Sequence, residues 1–258
     1  MSEATMSETL LPEIPDENFA IVRRPAAHDS ARLHVRGAAT YIDDIREPAG
    51  TLHIAPGLSP IARGRLLSLD LDAVRKAPGV VAVLTAADIP GKNDVAPAFD
   101  DEPLIAAREL MFRGQLVFAV VAATRDQARR AAALAKFETE EQTPAITIEQ
   151  AAARGETVLP DYDFGRGDAP AALAAAPQTL KGRLMIGGQE HFYLEGQAAF
   201  AIPGEAGDML VHTSTQDPTE VQHIVARVLG CPDSFVVAET RRMGGGFGGK
   251  ESQAAQVA

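Results

Sequence analysis

The sequence predicts an α+β protein built as two mixed helix–strand units in succession, and three observations carry that expectation. Short apolar runs of strand length sit between turn residues. Two helices announce themselves through their N-caps. A stretch rich in Ala, Gly and Pro, residues 151–177, separates the two groups of elements and has the composition of a connection.

In the first unit, Val80-Val81-Ala82-Val83-Leu84 follows a Pro78-Gly79 turn and reads as a buried strand, and the apolar run Leu116 to Ala123 is a second. Thr124-Arg125-Asp126-Gln127 has the capping-box pattern, which predicts a helix over Arg125 to Lys136. Phe137-Glu138-Thr139 opens another extended stretch that ends at Pro144, and the connection holds a short helix capped by Asp168. In the second unit, Leu180 to Ile186, Gln197 to Ile202, Met209 to Thr213 and Phe235 to Ala238 are strand-like. Asp217-Pro218-Thr219-Glu220 places Asp at the N-cap and Pro in the first turn. Val221, Ile224, Val225, Val228 and Leu229 then share one face as far as Gly230, so a helix is expected there. Glu251 to Ala258 has helix propensity but no stop signal, so the sequence reads as cut within a helix.

Composition narrows the function. Of the 258 residues 46% are apolar, yet no run approaches the ~20 apolar residues of a membrane helix. The formal charge of −11 argues against nucleic acid as a partner, because phosphates call for a basic face. Cys231 is the only cysteine, which excludes an internal disulfide and a cysteine-held iron–sulfur cluster on this chain. Residues 1–29 read as an acidic, disordered tail. Arg23-Arg24 resembles a twin-arginine signal, but Pro25-Ala26-Ala27 follows instead of an apolar stretch, so a cytoplasmic protein is expected.

Two polar, glycine-bearing segments carry the chemistry. Gly244-Gly245-Gly246-Phe247-Gly248-Gly249-Lys250-Glu251 lies between a predicted strand and a predicted helix. It satisfies G-x-G-x-x-G and nearly satisfies the phosphate-loop pattern. The phosphate loop needs Ser or Thr where Glu251 stands. The dinucleotide fold needs an acidic residue about 20 positions on, and the loop comes about 200 residues too late for an N-terminal nucleotide domain. The glycines still allow close approach of the backbone to a rigid ligand and presentation of N–H groups. The plainer alternative, a mobile surface loop, leaves Phe247 poorly placed. The second segment is Gly187-Gly188-Gln189-Glu190-His191-Phe192-Tyr193-Leu194-Glu195; by itself it is equally a strand edge with satisfied polar groups.

Together, residues 187–195 and Arg-Arg-Met-Gly-Gly-Gly-Phe-Gly-Gly-Lys-Glu (241–251) closely resemble the molybdenum hydroxylases, and within them the xanthine dehydrogenase group. The likeness extends back through Phe112-Arg113-Gly114-Gln115 and the segment His34 to Asp44. It implies an α/β-hammerhead domain over 30–148, a connecting segment over 149–177 and the N-terminal part of a molybdopterin-binding domain over 178–258. Such enzymes hydroxylate a heteroaromatic ring carbon with oxygen from water, with molybdenum held by a pterin accepting two electrons. The resemblance thus implies hypoxanthine and xanthine as substrates and urate as product. It also implies a partner subunit carrying 2Fe–2S clusters and FAD, and so a hetero-oligomer.

Position by position, Gln189 matches the glutamine that hydrogen-bonds a molybdenum oxygen ligand, a place suited to a neutral amide. Phe247 and Gly248 match the loop that closes over the cofactor through main-chain N–H groups, and Glu251 matches a glutamate that pairs with the purine. No residue is expected to ligate the metal directly, and no catalytic base is assigned. The isolated chain is expected to be inactive. Two alternatives stay open: an aldehyde or N-heterocycle oxidoreductase, and a non-catalytic remnant that docks to the partner subunit.

Overall fold

A computed structural model describes residues 24–258, so residues 1–23 of the tail expected over 1–29 lie outside the described residues. The chain divides into two units, one ending at Ala39 and one running from Thr40 to Ala258. In the first, residues 24–29 are exposed and α1 (Ala31–Val35) forms one short helix.

The second unit opens with β1 (His53–Leu58), β2 (Gly64–Asp70), α2 (Asp72–Arg75) and β3 (Val80–Leu84). It continues through β4 (Glu109–Leu110), β5 (Leu116–Ala122), α3 (Arg125–Ala132) and β6 (Lys136–Glu141). Two antiparallel three-stranded sheets result, in the orders β1-β5-β3 and β4-β2-β6. Strand β5 is central and nearly continuously buried, as its unbroken apolar run requires. Phe118, Val117 and Val120 from β5 enclose one core with Leu71, Val74 and Leu110.

Helix α3 ends four residues earlier than its sequence suggests. Lys136 is drawn into β6 opposite Asp70, and the intervening residues close through bonds such as Leu134 N–H to Ala131 O at 2.9 Å. The expected capping box is also only half made. Thr124 Oγ1 accepts from Gln127 N–H at 3.2 Å, but the Gln127 amide oxygen takes the Thr124 hydroxyl instead of reaching back to the backbone. The Gln127 side chain lies over Gly79, where a Cβ would come within 2.2 Å of it.

The segment after β6 carries α4 (Ile148–Arg154), which the sequence did not suggest, and α5 (Ala169–Ala175), capped as expected by Asp168. Beyond it, Leu180 to Ile186 is not a strand. Among the described residues these find no partner strand, and Leu180, Leu184, Met185 and Ile186 are exposed. Apolar residues alone do not make a strand when no second edge takes up its backbone groups.

A third sheet, in the order β7-β8-β9, is built from β7 (Ala199–Pro203), β8 (Met209–Thr213) and, after α6 (Pro218–Leu229), β9 (Val236–Glu239). β8 and β9 run parallel, so the chain needs a crossover between them, and α6 supplies it. Asp217 Oδ1 accepts from Glu220 N–H at 2.9 Å, and Gly230 closes the helix in the left-handed region at φ 69°. The last carbonyls of α6 are taken by a distant loop: Gly91 N–H donates to Val228 O (2.9 Å) and Lys92 N–H to Arg227 O (3.0 Å). A Cβ on Gly91 would meet Arg227 O at 2.2 Å, so this approach needs glycine. Val95 from the same loop joins Val221, Ile224, Ala254 and Ala255 in a second core.

The chain end is a 3-10 turn, Ser252–Gln256, instead of the expected α-helix. Burying Ala254 and Ala255 against α6 is compatible with this tighter winding, and short terminal turns commonly adopt it. Among the described residues no helix is long and apolar enough to cross a membrane.

Candidate cofactor site

The glycine loop leaves β9, passes through 244–250 and returns to the terminal turn. It carries two consecutive left-handed residues, Phe247 at φ 50° and Gly248 at φ 88°. Phe247 has a Cβ, so it occupies this region at a cost that neighbouring contacts must offset. The residue is 76% exposed.

The loop rests on two other stretches, Tyr193–Gln197 and Thr213–Gln216. A single carboxylate oxygen, Glu195 Oε2, accepts from Gly244 N–H (2.7 Å), from the Ser214 hydroxyl (2.6 Å) and from the Lys250 ammonium (3.2 Å). Lys250 is 0% exposed; its Nζ also donates to Ser214 Oγ at 2.8 Å and lies 4.7 Å from the centre of the Tyr193 ring. Gln216 Oε1 accepts from Gly248 N–H (2.8 Å) and Lys250 N–H (3.3 Å), and Gln197 Nε2 donates to Gly249 O (2.8 Å). Cβ atoms would meet Glu195 Cβ at 2.4 Å on Gly244 and Tyr193 at 2.8 Å on Gly249, so the glycines are used for contact with the loop's own support.

Burial opposes ionisation of Glu195. The Ser214 hydroxyl, the Gly244 N–H and the Lys250 ammonium together outweigh it and hold the carboxyl below the ordinary glutamate range. A depressed folded-state value contributes stability that is present above the unfolded value and lost as pH falls through the folded one. The Gly244 amide resonance is therefore expected to titrate only below the normal carboxylate range, and Glu195→Gln should remove that step. A midpoint at or above the usual glutamate value would contradict the bonding described.

The two sequence motifs are thus brought together, but through Glu195, Tyr193 and His191, whose ring lies beneath Gly249. Gln189 is exposed and takes no part in the bonds that join them. Gly248 is exposed, but its N–H is committed inward to Gln216, whereas the N–H of Phe247 donates to no acceptor among the described residues. Glu251 is exposed just beyond the loop and makes no side-chain cap bond to the terminal turn. Its charge falls on Glu220, whose carboxyl is pushed up first by burial, then by Asp217 and by Glu251. The sequence reading overlooked Glu195, Ser214, Gln216 and Lys250. The signals were an isolated Lys after the glycines and a wholly polar run, Thr213-Ser214-Thr215-Gln216, at the end of a strand.

The residues present fit a pterin in chemical type. Gln197 Oε1 is a buried acceptor without a hydrogen-bond partner among the described residues, and Phe247 offers an uncommitted donor. A group with donors and acceptors along its edge suits such a set. Comparison with known proteins defines the class: residues 151–258 match the molybdopterin cofactor-binding domain, and residues 36–143 match the a/b hammerhead domain of aldehyde oxidase and xanthine dehydrogenase. The architecture is therefore a hammerhead domain followed by the start of a molybdopterin cofactor-binding domain, and the chain belongs to the molybdenum hydroxylase family.

Among its relatives, the xanthine dehydrogenase/oxidase of Mus musculus is 38% identical over 92% of this chain, and the xanthine dehydrogenase of Drosophila pseudoobscura pseudoobscura 42% identical over 92%. The chain spans about 18% of the length of each. The solved aldehyde oxidoreductase of Desulfovibrio gigas superposes with a TM-score of 0.78 at 26% identity, covering 88% of this chain and 28% of that one.

Proposed function

We propose that this chain forms part of the cofactor and substrate walls of a xanthine dehydrogenase that hydroxylates hypoxanthine and xanthine. The observation that carries the reading is the glycine loop, held against residues 193–197 with the Phe247 N–H uncommitted, inside the region matched by the cofactor-binding domain. When bound, the molybdenum–molybdopterin group supplies the two-electron acceptor for inserting a water-derived oxygen into a ring carbon.

The chain's own residues bind and orient. Phe247 donates its main-chain N–H to the cofactor, and Gly248, lacking a Cβ, lets the group approach the backbone. Gln189 would offer its amide N–H to the metal–pterin group without adding charge beside an anionic centre. Glu251 faces the purine and takes or shares the protons of its ring nitrogens. Residues 1–258, with Cys231 as their sole cysteine, hold no cysteine-ligated cluster, and the 2Fe–2S clusters and FAD that the resemblance implies are assigned to a partner subunit in a cytoplasmic hetero-oligomer on that resemblance alone. The likeness to an aldehyde oxidoreductase favours a second reading, an aldehyde or N-heterocycle substrate in the same site.

Gln189→Ala in the assembled enzyme tests the cofactor assignment. Loss of a hydrogen bond to a metal ligand typically costs ~10–100-fold in activity or metal affinity, and a loss of that size is expected. Full molybdenum content with undiminished turnover would show that Gln189 has another role.

A further inference from the structure

We propose that Glu195 and Lys250 form a positioning clamp, bridged by Ser214, that sets the glycine loop against the Gln189-bearing segment. The inference rests on the cofactor reading above, because the clamp matters to function only if both segments serve one group.

The two segments have no other regular means of alignment. Residues 178–198 contain no helix or strand, and none lies between β9 and the terminal turn. No ladder of backbone bonds therefore sets their spacing. A few isolated bonds do so instead: the Glu195 N–H donates to Gly244 O (3.2 Å) and Gln197 Nε2 to Gly249 O (2.8 Å), while Glu195 Oε2 holds both Gly244 N–H at the loop's entrance and Lys250 Nζ at its exit. Glu195 lies six residues after Gln189, so the same carboxylate ties down the stretch that carries the amide.

Stability alone does not account for this choice. Burying an ammonium and a carboxylate forfeits hydration, and apolar residues of similar volume commonly fill such sites equally well. A charged pair adds direction that apolar packing lacks. The three ammonium protons have three takers in Ser214 Oγ, Glu195 Oε2 and the Tyr193 ring face. Ser214 in turn donates to Glu195, which roots the clamp at the end of β8. Lys250 and Glu195 are therefore positioning residues, acting through the backbone of Gly244 to Gly249.

Amide hydrogen exchange on the full 258-residue chain tests this. The double variant Glu195→Leu/Lys250→Met removes both charges without stranding either. It is expected to keep the exchange rates of Val211 and Thr213 in β8 while Gly244 and Gly248 exchange about 10-fold faster or more, the factor for losing one hydrogen bond. Ser214→Ala, which leaves both charges in place, should move the same two amides in the same direction by less, and decides the matter if the double variant does not fold. Unchanged loop exchange would overturn the clamp, as would loop and sheet loosening together. Molybdopterin content of the assembled variant enzyme is read separately. Loosened loops with undiminished content would leave the clamp standing and remove the cofactor reading. Reduced content with a loop as protected as in the parent would remove the clamp and leave that reading intact.

Discussion

Replacing Glu251 by Val in the assembled enzyme is expected to cut kcat/KM for xanthine by roughly 10- to 150-fold while sparing an aromatic aldehyde. The magnitude follows from one hydrogen bond involving a charged group, worth ~1.5–3 kcal/mol in a site shielded from water. A carboxylate can pair with ring nitrogens and their protons, which an aldehyde lacks. The competing account treats Glu251 as a residue favoured by the dipole of a following helix, worth only ~0.3–1 kcal/mol of stability. The terminal turn is a five-residue 3-10 segment to which the Glu251 side chain makes no cap bond, which leaves little for that account to use. Steady-state kinetics with both substrates decides it. Equal losses on xanthine and aldehyde would remove the main support for a purine substrate and favour the aldehyde reading.

The largest stability effect is expected at Phe118. The residue is 0% exposed on the central strand β5, with the Phe137 ring 6.1 Å away, centre to centre, and Gly57 directly opposite on β1. A Cβ at Gly57 would lie 2.1 Å from the Phe118 ring, so the ring fills the space that a side chain there would need. Phe118→Ala removes that filling from the middle of the first core and should destabilise the chain by about 3–5 kcal/mol. Domains of this size are stable by only ~5–15 kcal/mol, so much of the folded population's margin disappears. Urea unfolding measures it, with Val81→Ala at an exposed position of β3 as the control; that variant should stay within ~0.5 kcal/mol. A Phe118 variant as stable as the control would mean that the core closes around the deletion.

Sequence by itself determined those features whose causes are local. Asp217, Pro218 and Gly230 bound α6 because an N-cap acceptor, a donor-free first turn and a left-handed C-cap act within a few residues. The unbroken apolar run of β5 declares a strand buried on both faces. The paired glycine motifs pointed to the family, and in the folded chain Gly244 and Gly249 are required by close packing on Glu195 and Tyr193. Tertiary structure alone decided whatever depends on a partner far along the chain. Leu180 to Ile186 has the side chains of a strand but no neighbouring edge, and Lys136 leaves its helix because Asp70 waits for it in β2. The support of the glycine loop was hidden for the same reason. Glu195 and Lys250 stand 55 residues apart, and neither residue type signals a buried ion pair until folding removes water from between them.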